Sequence, residues 1–354
     1  MKKLISLTFI FILGLYLIGF AQDEESSAPE LSISGSIDAY FRSNLNASNS
    51  LMVDDGVYIA PGSSFANLPG FSLGMANVVL GLEGEKTGFV ADLVFGPRGN
   101  DAVFGSTVGS TPIVNQLYAY WNVSDGTTLT LGNFNTFLGY EVISPTANYN
   151  YSTSYMFSYG PFSHSGLKAD FTLSEDASLM LAIMNPTDAT DFNPSGDYVL
   201  GAQVGISGQY FNFIYDGAND FYQIDYTGGF DLSETVFLGI NATKAKDNFT
   251  GAALYLQNSF SDAFSMGLRG EYFKDDGIGL FTEGENVIDL TLSANYSVGN
   301  LTIIPEFRID MLSGDEFVTD GDQTFDSDDI PNGYTNAKMS KSLSSFVLAA
   351  VYSF

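Results

Sequence analysis

From Leu31 onward the chain alternates. Leu31, Ile33, Gly35, Ile37, Ala39 and Phe41 share one parity, and Ser32, Ser34, Ser36, Asp38, Tyr40 and Arg42 share the other. A period of two marks a strand with one apolar and one polar face. The same alternation returns in 89–95, 117–123, 167–173, 264–272, 288–294 and 303–309. In these segments Asp38, Arg42, Asp92, Lys168, Asp170, Arg269, Glu271, Asp289, Glu306, Arg308 and Asp310 all fall on the polar parity. Two architectures produce this pattern. A soluble sandwich turns its apolar parity inward. A transmembrane barrel turns it outward to lipid, where a mid-membrane Lys or Arg costs about 2–4 kcal/mol. The period alone does not separate them.

Other features favour the barrel. The apolar parity is rich in Phe, Tyr, Leu and Ala near segment ends, as in a lipid band with aromatic girdles. The alternation predicts about sixteen strands, within a range of about fourteen to eighteen, each about ten residues long. Their starts fall near residues 31, 71, 88, 114, 127, 165, 178, 198, 209, 221, 235, 251, 263, 287, 301 and 343. Connections after even-numbered strands are tight, as in Ser124-Asp125-Gly126 and Ser174-Glu175-Asp176. After odd-numbered strands most are long: 43–70, 97–113, 135–164, 186–197, 275–286 and 313–342. Short turns at one rim and longer loops at the other suit a closed antiparallel barrel with both termini periplasmic. Three places resist. Parity switches near Asn77, which suggests a bulge. Pro305 lies inside a predicted closed sheet, where it cannot donate to the ladder. Residues 148–162 are too irregular for a strand.

Composition narrows the class. The chain has 41 acidic residues against 13 Lys and Arg, which argues against nucleic acid as a partner. It has no Cys, so disulfides and thiolate metal sites are excluded. Aromatic residues make up 14% of it, unlike a disordered acidic protein. Lys2 and Lys3, the apolar run Leu4 to Ile18, and Gly19-Phe20-Ala21 before Gln22 read as a secretory signal peptide. After residue 21 no apolar run approaches the roughly 18 residues of a spanning helix. The expected organisation is a signal peptide over 1–21, a short periplasmic segment over 22–30, and an outer-membrane barrel over 31–354.

The segments GSIDAYFR, FSLGMANVVLGLEGEKTGFVADLVFGP, NQLYAYWNV, LTLGNFNTFLGYEVI and NYNYSTSYMFSYGPFSHSGLKADF resemble the OmpL-like putative β-barrel porins. LMLAIMNP, LRGEYFKDDG, IPEFRID and the terminal YSF extend the likeness over nearly all of 31–354. The series Gln116, Gly132, Gly139-Tyr140-Glu141, Pro161, His164 and Gly166 is its more specific part. The last strand, with Phe346, Leu348, Ala350, Tyr352 and Phe354 alternating, also resembles the signal that such barrels present to the assembly machinery. The resemblance implies a porin-like outer-membrane channel for passive diffusion of ions or small polar solutes, with no cofactor and no catalytic residues. The alternatives are a non-conducting barrel of structural or adhesive role and, more remotely, a barrel hydrolase.

The candidate pore-lining residues are Asp92, Glu141, Lys168, Asp170, Arg269, Glu271, Asp289, Glu306, Arg308 and Asp310. With the excess of acidic residues, they suggest weak cation selectivity. The loop 135–164 carries Tyr140, Tyr149, Tyr151, Tyr155, Phe157, Tyr159 and Phe162, too much aromatic surface to stand in water. It is expected to fold into or over the barrel mouth. The one histidine, His164, has Gly166 at i+2, so no serine shares its strand face as a serine–histidine pair requires. In 313–329, Asp315, Glu316, Asp320, Asp322, Asp326, Asp328 and Asp329 could offer oxygen ligands to Ca²⁺. The EF-hand spacing is absent, and a solvated acidic loop is the better reading.

Overall fold

Sixteen strands form a closed antiparallel barrel in the computed structural model, which describes residues 30–54, 57–63, 65–103, 113–325 and 331–354. In chain order they are β1 (Glu30–Asn44), β2 (Gly70–Glu83), β3 (Thr87–Phe95), β4 (Val114–Ser124), β5 (Thr127–Asn135), β6 (Ser163–Ser174), β7 (Ala177–Met184) and β8 (Val199–Ile206). There follow β9 (Gln209–Asp216), β10 (Phe221–Asp231), β11 (Val236–Ala245), β12 (Phe249–Ser261), β13 (Phe264–Asp275), β14 (Asn286–Val298), β15 (Leu301–Leu312) and β16 (Ser342–Ser353). Each begins within two residues of the position that the alternation predicts. The expected signal peptide and residues 22–29 lie outside the described residues; Glu30, expected in the periplasmic segment, already belongs to β1.

Each strand pairs with its sequence neighbours, and β1 closes the wall against β16. At that seam Ser36 faces Ser353 and Asn44 faces Ser345. The seam ends where Gly35 and Phe354 exchange two backbone hydrogen bonds of 3.0 Å.

Exposure decides between sandwich and barrel. The apolar parity is outside: Leu117 is 53% exposed, Phe307 53% and Leu290 41%. The charged parity is inside: Arg269, Asp289 and Glu306 are each 0% exposed. Water as the outer solvent would favour the reverse, so this wall is built for lipid.

The three resistant places have local explanations. The bulge is at Gly74-Met75, where Ile37 pairs Ala76 and Ala39 pairs Leu73, leaving two residues of β2 opposite Asp38. The Asp38 carboxylate accepts from the Met75 N–H at 3.0 Å and occupies the space that a Cβ on Gly74 would take. At Pro305 the pairing with β14 lapses between Ser293/Glu306 and Tyr296/Ile303, while the β16 side continues through Pro305/Leu348. The missing N–H therefore falls in a gap in the ladder. Residues 148–162 form part of a loop inside the barrel, with one short helix, α2 (Tyr155–Tyr159); the earlier helix, α1, is Pro97–Ala102.

The acidic segment after β15 is more ordered than a solvated loop. Phe317–Phe325 pairs with Pro331–Ser340 as a hairpin. Within it Asp320 pairs with Lys338, and Asp322 accepts from Asn336 at 2.8 Å. Asp326, Asp328 and Asp329 lie outside the described residues. Among the described residues no group of three or more His, Asp or Glu is arranged to hold a metal ion.

Candidate functional site

Between β5 and β6 the chain does not leave the barrel. Residues 136–162 turn inward and cross to the opposite wall. The loop is closed at its base, where the Thr136 N–H donates to the Phe162 carbonyl at 2.9 Å. Asp188 accepts there from the N–H groups of Phe162 and Ser163 at 2.8 and 2.9 Å. On its way the Gly139 N–H donates to Asp225 of β10 at 3.0 Å, and Tyr140 stacks on Tyr255 of β12 with ring centroids 4.3 Å apart.

Four charged side chains of the far wall then hold the loop by its backbone. Arg269 of β13 donates to the Ser152 carbonyl at 2.7 Å and pairs with Glu141 and Asp289, each at 2.7 Å. Arg308 of β15 donates to the Thr153 carbonyl at 2.7 Å and pairs with Asp310 at 2.8 Å. Glu306 accepts from the N–H groups of Tyr151 and Ser152 at 2.7 and 3.1 Å. Glu271 accepts from those of Tyr155 and Met156, both at 2.8 Å. These last two N–H groups open α2, where they lack intrahelical partners, and the Ser154 side chain caps the same turn by accepting from Phe157 at 3.1 Å. Hydrogen bonds to a charged group are worth about 1.5–3 kcal/mol each. Buried charges so heavily partnered are held in place, because leaving any one alone in low dielectric is costly.

The wall makes room for the loop with glycine at inward positions. A Cβ on Gly239 would lie 2.4 Å from the Tyr140 hydroxyl, one on Gly251 2.4 Å from Met156 Cγ, and one on Gly267 2.2 Å from the Tyr149 ring. Sequence reasoning passed over these glycines. Their signal was there, since glycine within a strand often marks the close approach of another chain segment.

Open space remains at the base of the loop. One recess of about 440 Å³ lies against β4 to β8, lined by Tyr118, Tyr120, Thr130, Lys168, Asp170 and Gln203 among others. A second, of about 500 Å³, lies at the long-loop rim among Asp188, Asp216, Asp220, Lys246, Asp247 and the Tyr159–Pro161 stretch. An apolar septum joins them: Phe134, Leu138, Met184, Val199 and Ile214 are buried against one another, with Phe137 and Phe221 packed on them.

The ten predicted lining residues divide accordingly. Lys168 and Asp170, paired at 2.8 Å, border the first recess. The other eight are buried. Glu141, Arg269, Glu271, Asp289, Glu306, Arg308 and Asp310 belong to the network beneath the inner loop, so they anchor it and do not line an open passage. Asp92 is enclosed by the side chains of Asn77, Asn115 and Gln116. The inward parity of the strand residues is as expected; the correction is that Arg269, Glu271, Asp289, Glu306, Arg308 and Asp310 are covered by a loop more than a hundred residues away in sequence, to which Glu141 itself belongs. Asp225 and Asp188 were not singled out from sequence; single carboxylates at a strand middle and in a loop carry no pattern. His164 is fully buried, and its Nε2 lies 3.0 Å from Thr136 Oγ1.

A thiol-labelling experiment follows from this division. A bulky water-soluble reagent should modify K168C and D170C. It should leave R269C and D289C unmodified while the loop is docked, and L117C and L290C protected by lipid. Labelling of the last pair alone would invert the assigned faces.

The sequence description of the family "putative beta-barrel porin-2, OmpL-like" matches residues 30–354. The chain belongs to this family. The fold is also that of known outer-membrane barrels. OmpT, an outer membrane protein of Vibrio cholerae, superposes with a TM-score of 0.52 at 12% identity, over 94% of this chain and 100% of that one. The anion-selective porin from Comamonas acidovorans superposes with a TM-score of 0.56 at 8% identity, over 92% of this chain and 100% of that one. The sequence matches no curated protein. Family and fold make this member a porin-like barrel of the outer membrane.

Proposed function

We propose that the barrel passes ions and small polar solutes by passive diffusion, through a lumen narrowed by the inner loop, with a weak preference for cations. The observation that carries the preference is the recess at the long-loop rim. It presents Asp188, Asp216, Asp220 and Asp247 against Lys246, which is itself paired with Asp220 at 2.6 Å. Carboxylates around a low-dielectric mouth enrich cations. In this reading the long-loop rim faces outward, the signal peptide directs export, and the strand ending at Phe354 engages the assembly machinery.

Reversal potentials under a KCl gradient test this. The barrel should favour K⁺, and the preference should weaken as salt shortens the Debye length from about 8 Å at 0.15 M toward about 3 Å at 1 M. Asp220→Asn with Asp247→Asn should lower it further; an anion-selective barrel would refute the charge argument. Asp188 adds a pH dependence. Burial raises its carboxyl to about 6, against the N–H groups of Ser163 and Phe162 that favour the ionised form. Its charge is lost as pH falls through about 6, so cation preference should fall there too. The sign for stability is opposite: a carboxyl raised above its unfolded value contributes stability that is present at low pH and lost as pH rises through about 6.

A second reading, a barrel that does not conduct, is favoured by one observation. The septum around Leu138 and Met184 is apolar and buried, and narrow apolar constrictions exclude water. Bilayer recordings of the wild-type protein that show no current would promote it.

A further inference from the structure

We propose that the recess against β4 to β8 is a binding site for a neutral sugar of one or two rings; its role in transport rests on the channel reading, but its occupancy does not. The recess differs from the rest of the interior. On β13 to β15 the inward charges are covered by the inner loop, whereas here Lys168 and Asp170 border open space.

On β4, Tyr118 and Tyr120 both point inward, spaced roughly 7 Å apart along the strand. Neither hydroxyl makes a hydrogen bond within the described protein. Phe134 and Phe137 close the top. Across the floor the ladder places Tyr120 beside Thr130 and Thr130 beside Lys168, with Thr128 beside Asp170 in the row below. Aromatic faces bordered by hydroxyls and amides match a pyranose ring, whose C–H faces are apolar and whose edge carries hydroxyls.

The charges argue for a neutral ligand. Lys168 and Asp170 pair with each other at 2.8 Å, and the Lys168 ammonium also sits 5.6 Å from the centre of the Phe134 ring. The pair is closed, with donors and an acceptor left over for hydroxyl groups and no net charge for an ion. A cation has the acidic recess at the other rim. The volume of about 440 Å³ falls within the about 300–1,000 Å³ of small-molecule sites.

The test is calorimetry on the full chain in detergent micelles, with maltose and cellobiose as probes and glycine as a zwitterionic control. At least one disaccharide should bind with millimolar affinity, and glycine should not. Tyr118→Ala should weaken binding by about tenfold, the upper range for one aromatic contact, while Tyr118→Phe keeps the ring and most of the affinity. The lipid-facing Tyr215→Ala should change nothing. Heat-modifiable gel migration checks that each variant is folded, and Tyr118→Phe and Lys168→Met serve if Tyr118→Ala is not: Lys168→Met should still weaken binding. No heat from either sugar up to about 100 mM, equal affinity in the folded Tyr118→Ala and Lys168→Met variants, or tighter binding of glycine would each overturn the proposal. Bilayer recordings keep the two readings apart. A barrel that binds sugar but carries no current loses the channel and keeps the site. One that conducts and ignores both sugars loses the site and keeps the channel.

Discussion

Arg269→Ala is expected to free the inner loop and raise single-channel conductance several-fold. Arg269 is the centre of the anchoring network. Its guanidinium touches Glu141, Asp289, Thr291 and the carbonyls of Ser152 and Thr153. Removing it strands Glu141 without its cation and leaves Asp289 with Arg308, at 3.5 Å, as its one cation among the described residues. Deleting one partner of a buried ion pair costs roughly 3–5 kcal/mol, which exceeds what any single remaining contact returns. The loop should then undock while the wall, held by its own ladder, stays closed. Arg269→Lys should give an intermediate result, because a single ammonium cannot bridge two carboxylates and two carbonyls as the planar fork does. The readouts are conductance and proteolysis within 136–162. Unchanged conductance together with unchanged protection would show that the aromatic packing alone holds the loop.

The second large effect concerns the septum. Leu138→Ser combined with Met184→Ser should hydrate it and raise conductance by about tenfold in a barrel that is otherwise intact, since a polar lining removes the penalty for water in a narrow apolar passage. The cation preference should be little changed, because the carboxylates at the rim are untouched. Large-to-small changes at buried Leu and Met typically cost about 2–5 kcal/mol each, so thermal unfolding must be followed in parallel. A stable double variant that conducts no better would place the narrowest point elsewhere.

The barrel was legible because its physics is local. Each strand carries its own alternation, and Arg269 and Glu271 reveal their side of the wall without reference to any other segment. The covering of those charges was not legible, because it depends on a second segment. Nothing near Glu306 announces that the backbone of Tyr151 and Ser152 will rest on it, 155 and 154 residues away. The aromatic content of 135–164 did indicate that the loop folds into or over the mouth, but aromatic content has no direction and named no wall. Parity likewise separates inside from outside without separating an exposed interior from a packed one. Lys168 and Asp170 share a parity with Arg269 and Asp289, and only the course of the loop distinguishes them.

The seam between β1 and β16 gives this loop a kinetic significance. The inner loop is tied to β13, β14 and β15, more than a hundred residues further along the chain, so those ties form only once both halves of the wall are together. Contacts of such long sequence separation form late, after the entropy of a large loop closure has been met. The wall shuts when its last strand reaches its first, and the loop, hung from the rim between β5 and β6, enters through the open mouth. Docking can therefore follow closure, which makes residues 136–162 an occupant that settles late into a cylinder able to close without them.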